Sequence, residues 1–209
     1  RTLERLRSLE DVRKDMAISD GQPIIGVAAH LTAKKGQRYV VEATALLKDR
    51  HPNLLCYLLG EGEQRAELEQ LARDLGVADR VRLLGFRTDA VDLMQAMDIV
   101  VLPSVAKEGL GLCLLEASAL RKPVIGSDAP GIDEPRVCLW PLLLVAPRQA
   151  DALADAIDGL IRDRELRNRM GDAGRERVER LFSLNQMVES TEQLYYEMID
   201  AKKRHARRP

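Results

Sequence analysis

The sequence predicts a doubly wound α/β domain, with a parallel sheet covered on both faces and a helical C-terminal segment. Two observations carry that expectation. Apolar runs of strand length alternate with helical periodicity through most of the chain, and those runs are almost continuously apolar, as strands buried on both faces require. Beyond residue 150 the pattern changes to helical sequence with polar faces and shows no further strand-like run.

Taken in order, residues 1–19 read as a helical lead-in. The first strand is Pro23-Ile24-Ile25-Gly26-Val27-Ala28-Ala29, and a helix spans about 36–50. Leu54-Leu55-Cys56-Tyr57-Leu58-Leu59 is the second strand, followed by a helix over about 63–75. A third strand, Val81-Arg82-Leu83-Leu84, passes through Gly85-Phe86-Arg87 into a short helix over about 90–97. Residues 98–103 form the fourth strand, 112–121 a helix, 123–127 the fifth strand and 142–145 a last one. Residues 150–203 read as two or three helices, and 202–209 as a frayed basic tail. There is no internal repeat and no low-complexity linker.

Composition narrows the function classes. The chain has 209 residues, 45% of them hydrophobic, enough for a core in one or at most two domains. With 32 basic and 33 acidic residues it has no global field suited to nucleic acid. Cys56, Cys113 and Cys138 sit in apolar runs without metal-ligand spacing, which reads as reduced core thiols in a cytoplasmic protein. The longest apolar run, 137–146, is too short for a bilayer and contains Pro141. The sequence begins at Arg1 rather than Met, so a fragment of something longer is expected.

In doubly wound sheets, ligands bind beyond the carboxyl ends of the strands, where strand order reverses. The polar features fall at such ends. His30 and Lys34-Lys35-Gly36 follow the first strand, Ser104 to Gly111 follows the fourth, and Ser127-Asp128-Ala129-Pro130-Gly131 follows the fifth. The most telling stretch is Glu108-Gly109-Leu110-Gly111-Leu112-Cys113-Leu114-Leu115-Glu116. Its glycines allow a ligand close to the backbone, and the helix that follows offers free N–H groups and a positive dipole end to phosphate. Glu116, within two turns of that helix start, is placed to reach a ribose diol.

At these residues the chain resembles the retaining glycosyltransferases of family 4, over about its whole length. That family has the GT-B fold of two Rossmann-like halves, and the likeness is to the C-terminal, donor-binding half. The family's paired glutamates map onto Glu108 and Glu116, and its Lys-Gly onto Lys35-Gly36. Gly60-Glu61-Gly62, Leu84-Gly85, Pro103-Ser104, Lys122-Pro123-Val124 and Gly131-Ile132-Asp133-Glu134 match its other short motifs. The glutamate pair within this set is fairly specific, whereas each glycine pattern alone is weak.

The resemblance implies a donor site. Lys35 would neutralise the diphosphate as the sugar departs, and Glu108 would hold donor sugar hydroxyls; these two are the expected catalytic residues. Glu116 would accept hydrogen bonds from the ribose hydroxyls. His30, Ser104, Gly109, Leu110, Gly111 and Leu112 would line diphosphate and sugar, and Gly85 and Phe86, within residues 84–87, would frame the base. It further implies no metal or other cofactor beyond the nucleotide-sugar substrate. On this reading residues 1–209 are one donor-binding domain, with 182–209 a C-terminal helix and basic tail. The acceptor half is expected before residue 1, so the chain alone would bind nucleotide and transfer sugar poorly or not at all.

Three departures from the family pattern stand out. His30 replaces an arginine and would weaken or reshape the phosphate clamp. Leu110 replaces a phenylalanine. After Glu134 a glycine-containing turn is replaced by Pro135-Arg136-Val137-Cys138-Leu139-Trp140-Pro141-Leu142, while length and pattern recover at Leu143. That change has the form of two compensating frameshifts, a hypothesis that resequencing the gene tests.

Each residue also has a plainer reading when taken alone. Lys34 and Lys35 would be solvated loop lysines, Glu108 a helix-terminal acid and His30 a structural hydrogen-bond donor. Glu116 in its apolar run would need a partner to offset burial. Tyr195-Tyr196 reads as helix packing, and the basic tail as solvated, with a weak contact to an anionic surface as the alternative. Three rival functions remain open: a nicotinamide-dependent oxidoreductase, disfavoured by the lack of a glycine-rich first turn; a non-catalytic association module; and a sugar-nucleotide epimerase or phosphorylase of similar plan.

Overall fold

The structure, a computed structural model, describes residues 6–109, 111–129 and 142–206. Leu110 and the altered turn at 135–141, with Cys138 and Trp140, lie outside the described residues, as do Gly131, Ile132, Asp133 and Glu134. The chain divides into two compact units, Arg1–Arg175 and Glu176–Pro209.

The first unit is built on six strands: β1 (Ile24–Ala28), β2 (Leu55–Leu59), β3 (Val81–Gly85), β4 (Ile99–Leu102), β5 (Val124–Ser127) and β6 (Leu142–Val145). Their order is β3-β2-β1-β4-β5-β6, and every pairing is parallel. Order therefore reverses between β1 and β4, the switch point at which such sheets bind ligands. The helices are α1 (Leu9–Asp15), α2 (Gln37–Leu47), α3 (Arg65–Asp74), α4 (Ala90–Met94), α5 (Leu112–Ala119), α6 (Ala150–Arg162), α7 (Arg164–Leu181) and α8 (Leu184–Ala206). α7 crosses the boundary between the units.

The continuous apolar runs explain the two-faced burial. Within β1, Ile25 and Val27 join Ile99, Val101 and Ile125 in the core that also takes Val40, Leu47 and Leu68. The intervening residues Ile24, Tyr57, Val100 and Leu102 are buried as well. Gly26 belongs to this packing: a Cβ there would stand 2.1 Å from Met97 Sδ, so the sheet leaves room only for hydrogen. α6 lays Leu153, Ala154, Ile157 and Leu160 into the core at 2% exposure or less. Each such Leu or Ile side chain contributes about 1.5–3 kcal/mol.

Polar contacts fix the edges. Asp158 on α6 accepts from His51 Nε2 at 2.6 Å and from Arg50 Nη1 at 3.1 Å, tying α6 to the end of α2. From Arg7 onward the lead-in is anchored. Ser8 caps α1 by accepting from Asp11 N at 3.1 Å, and Arg7 N donates to Asp92 Oδ1 at 2.9 Å. Asp98 accepts from Ile24 N at 2.8 Å, which sets β1 beside the start of β4.

In the second unit, α8 runs to Ala206, so the chain from Lys202 to Ala206 is helical where a frayed tail was expected. Lysine, arginine and alanine are good helix formers, and cations suit a helix C-terminus. Tyr195 and Tyr196, read as packing residues, are instead 63% and 59% exposed. They share that exposure with Leu184, Met187, Val188 and Leu194, at the three-and-four spacing of an apolar helix stripe. Among the described residues, no helix is long and apolar enough to cross a membrane.

Candidate functional site

Two loops meet at the switch point. The first leaves β1 through His30, makes a 3-10 turn over Ala33–Lys35 and enters α2 through Gly36. The second leaves β4 through Pro103 and Ser104 and enters α5 through Gly111. Val105 N donates to Lys34 O at 2.9 Å and locks the loops together. Their closeness depends on Gly36, which has φ +66°. A Cβ there would stand 2.1 Å from Pro103 O, so no other residue fits without moving a loop.

That approach brings three expected site residues into contact. Lys35 Nζ donates to Glu108 Oε1 at 2.7 Å and to Oε2 at 2.9 Å. The hydroxyl of fully buried Ser104 donates to the same Oε1. The Glu108 side chain is 10% exposed and that of Lys35 28%. A carboxylate this sheltered needs such partners, because an unpaired charge in a dry site is strongly unfavourable. An ammonium has three N–H donors. Two go to Glu108, which leaves one for another acceptor.

A second group lines a cavity of about 220 Å³ at the ends of β1, β2 and β3, where His30, Phe86 and Glu116 meet Ala29, Glu61 and Arg87. Phe86 is 73% exposed. Glu116 is partly buried, and that burial raises its carboxyl pKa above the ordinary value. His30 is held by its backbone and its ring: Gln37 Nε2 donates to His30 O at 2.8 Å, and Nδ1 lies 3.2 Å from Glu61 O. The Gly60-Glu61-Gly62 turn presses on this loop. A Cβ at Gly60 would stand 2.1 Å from Ala29 O, and one at Gly62 2.2 Å from Leu31 O. Gly85 closes the side of the site, its carbonyl accepting from Gly60 N at 2.8 Å.

Between these groups stands the N-terminus of α5. Gly111 is left-handed at φ +63° and gives no side-chain cap, and Leu112 is 66% exposed. The first amides of the helix therefore meet the crevice uncapped, with the positive end of the dipole. Gly109 has open space around it. Cys113 is buried, and burial pushes its thiol up to about 12, so it stays protonated. Beyond the Lys34 turn lies a larger cavity of about 440 Å³, edged by Thr32, Arg38, Val105 and Arg148.

Of the expected residues, Lys35, Ser104 and Glu108 touch one another, and His30, Phe86 and Glu116 share the smaller cavity. Gly85, Gly109, Gly111 and Leu112 shape the backbone around them. Three further residues contribute. Glu61 lay in a recognised motif, but its carbonyl, not its side chain, makes the contact to His30. Arg87 ended the expected base-framing segment; it lines the cavity and is gripped by Asp89 at 2.7 and 2.8 Å. That grip holds the Asp89 carboxyl at about 2. Gln37, buried at the start of a helix, carried no sequence signal at all. Among the described residues, no group of three His, Cys, Asp or Glu side chains could hold a metal ion.

Sheet order and crevice together define a Rossmann-like domain with its ligand site at the switch point. Residues 9–177 match the family described as glycosyl transferases group 1, and the chain belongs to that family. The alpha-D-kanosaminyltransferase of Streptomyces kanamyceticus is 32% identical over 155 residues, which cover 73% of this chain and 40% of that protein. Anabaena HepE, solved in complex with UDP-glucose, superposes with a TM-score of 0.79 at 27% identity, over 90% of this chain and 52% of that one. The C-terminal domain of the group 1 protein LpcC from Francisella tularensis gives 0.73 at 28% identity, over 85% of this chain and 94% of that domain. The fold is thus that of a GT-B glycosyltransferase domain. The chain spans about half the length, or less, of the curated relatives it matches.

Proposed function

We propose that this chain is the C-terminal, donor-binding half of a retaining, metal-independent glycosyltransferase that takes a nucleotide-diphosphate sugar. The observation that carries the reading is the Lys35–Ser104–Glu108 cluster beside the cavity of Phe86 and Glu116, at the switch point of the sheet. The family and the UDP-glucose complex of HepE support it.

In this reading Phe86 and the Gly85 backbone face the base, and the Glu116 carboxylate accepts from the ribose hydroxyls. The diphosphate lies over the uncapped start of α5 and takes the remaining N–H of Lys35. Glu108, its charge oriented by Lys35 and Ser104, accepts from hydroxyls of the donor sugar. In transfer with retention, the bond from the anomeric carbon to the phosphate oxygen breaks. The acceptor oxygen bonds to the same carbon on the same face, and its proton passes to the departing phosphate oxygen. Lys35 and the helix end are already aimed at the charge that grows on that oxygen, which is how preorganised electrostatics lower such a barrier. The acceptor enters from a partner half that this chain does not supply, so the isolated chain binds donor and transfers sugar poorly or not at all.

Calorimetry with UDP, GDP and ADP tests the reading. At least one nucleotide is expected to bind, with Glu116→Ala weakening it about tenfold or more through lost charge-assisted hydrogen bonds. Failure of all three to bind refutes the donor site, while binding untouched by the substitution refutes the ribose role.

A further inference from the structure

We propose that a second ligand site, selective for a phosphate group, lies at the opposite pole of the first unit, in the cavity bounded by Arg13, Asp98, Arg164 and Arg167. The cavity holds about 380 Å³ and sits at the amino ends of the strands, floored by Gly21, Gln22 and Pro23 ahead of β1. It is therefore separate from the crevice at the carboxyl ends, and the inference does not depend on the donor reading. Its volume falls within the range of about 300–1,000 Å³ common for small-molecule sites.

The charge around it is unbalanced. Arg13 comes from α1, Arg164 and Arg167 come from α7, and among the described residues Asp98 is the one carboxylate lining the wall. Asp98 already accepts from Ile24 N at 2.8 Å. Arg13 Nη2 donates to Ser19 O at 2.7 Å and has only the fully exposed Asp20 as an ion partner, at 3.9 Å. Arg167 turns Nη1 onto Leu160 O and onto Ile161 O, the latter at 2.7 Å, capping the end of α6. These contacts fix two guanidinium groups and leave their other N–H edges unspent. The Arg164 side chain makes no hydrogen bond or ion pair among the described residues, so no side-chain contact in the fold accounts for its place at the cavity. Lys122 adds a further cation close by: burial lowers its pKa, with Asp98 opposing that shift and Arg13 reinforcing it.

Three guanidinium groups around one pocket repel each other unless an anion sits between them. The planar fork of arginine matches carboxylate and phosphate oxygens bidentately, but a phosphate monoester carries about −1.5 to −2 charge and three acceptor oxygens, so it can take forks from several guanidinium groups at once where a carboxylate fills one. The volume left over suits the organic part of a phosphate monoester or the headgroup of a phospholipid. Both sources present the same chemistry.

Titration of the protein with inorganic phosphate, followed by calorimetry, tests the site. Saturable binding is expected that survives Lys35→Met, which disables the crevice at the other pole, and weakens about tenfold or more in Arg164→Gln. The Arg164 side chain holds nothing else in the fold and its removal relieves repulsion, so unliganded Arg164→Gln should melt at or above the wild-type temperature, and its loss of binding would not reflect unfolding. Co-sedimentation with phosphatidylcholine vesicles containing phosphatidic acid, lost in Arg164→Gln, identifies a lipid headgroup; phosphate binding without co-sedimentation identifies a soluble phosphate. The proposal is overturned by absence of saturable binding, by binding that Arg164→Gln leaves unchanged, or by binding that disappears with Lys35→Met.

Discussion

Replacing Gly36 by alanine separates two effects that act at the same point. The residue has φ +66°, and its Cβ would stand 2.1 Å from Pro103 O and 3.2 Å from Val105 Cγ1. The left-handed backbone alone costs an L-residue about 1–2 kcal/mol. Ordinary carbon–oxygen contacts lie at about 3.3–3.6 Å, so one loop must retreat by more than about 1 Å. Overpacking of that kind adds about 1–3 kcal/mol. Gly36→Ala is therefore expected to destabilise the domain by about 2–5 kcal/mol in total. Gly21→Ala supplies the control, because Gly21 has φ +71° but no heavy atom within 4 Å of the added Cβ. It should cost only the backbone share, about 1–2 kcal/mol. Urea unfolding of both variants, compared at the transition midpoint with matched slopes, reads the difference. Equal losses in the two variants would refute the claim that close approach of the loops sets the geometry of Lys35 and Glu108.

Other variants probe charge and burial. Burial raises the Glu116 carboxyl pKa, so folding disfavours its ionised form, and the stability penalty builds as pH rises from the ordinary value of 4.5 to the elevated one and is fully present above it. Glu116→Gln should be more stable than wild type at pH 7 yet weaker for nucleotide; equal stability at pH 7 and pH 4 would count against the burial argument. The Asp89 carboxyl is held at about 2 by the Arg87 hydrogen bond, so its stabilisation is present above the ordinary value of 3.8 and lost as pH falls towards 2. Asp89→Asn should be destabilising near neutrality and indistinguishable from wild type near pH 2, which acid titration of both proteins checks. Asp158 is 9% exposed and pairs with His51, Arg50 and Arg162. Burial works against its charge, but the His51 hydrogen bond and the two arginines outweigh it and lower its pKa. Asp158→Ala should cost about 1.5–3 kcal/mol, since its arginine partners stay solvated when it is removed, without altering nucleotide affinity, and a loss of affinity would link α6 to the site.

Most of the scaffold was legible because buried parallel strands leave unbroken apolar runs. β6 was expected at 142–145 and lies there, and the other strands differ from expectation by a residue or two at their ends. Helix ends were less readable: α2 stops at Leu47, not Arg50, since the pattern of apolar residues continues into a turn that local hydrogen bonds close. The candidate site residues could be named one by one from the sequence, because glycines and paired glutamates are distinctive. Their mutual contacts were not. No spacing rule says that Lys35 and Glu108 meet, since their contact depends on β1 and β4 being neighbours and on Gly36 bringing their loops together. Gln37 escaped for a similar reason, and so did the Asp89 grip on Arg87: one braces a carbonyl and the other orients a guanidinium, contacts that exist only once the chain has folded. The basic cavity was illegible too, as its arginines come from α1 and α7, far apart in sequence.

The central claim is that Lys35 meets a diphosphate. The decisive measurement compares, by calorimetry, the affinity of the best-bound nucleoside diphosphate with that of its bare nucleoside, in wild type and in Lys35→Met. The account predicts that the diphosphate binds the wild type about tenfold or more tightly than the nucleoside, and that Lys35→Met removes most of that advantage while sparing nucleoside affinity. An advantage that persists undiminished in Lys35→Met would contradict it.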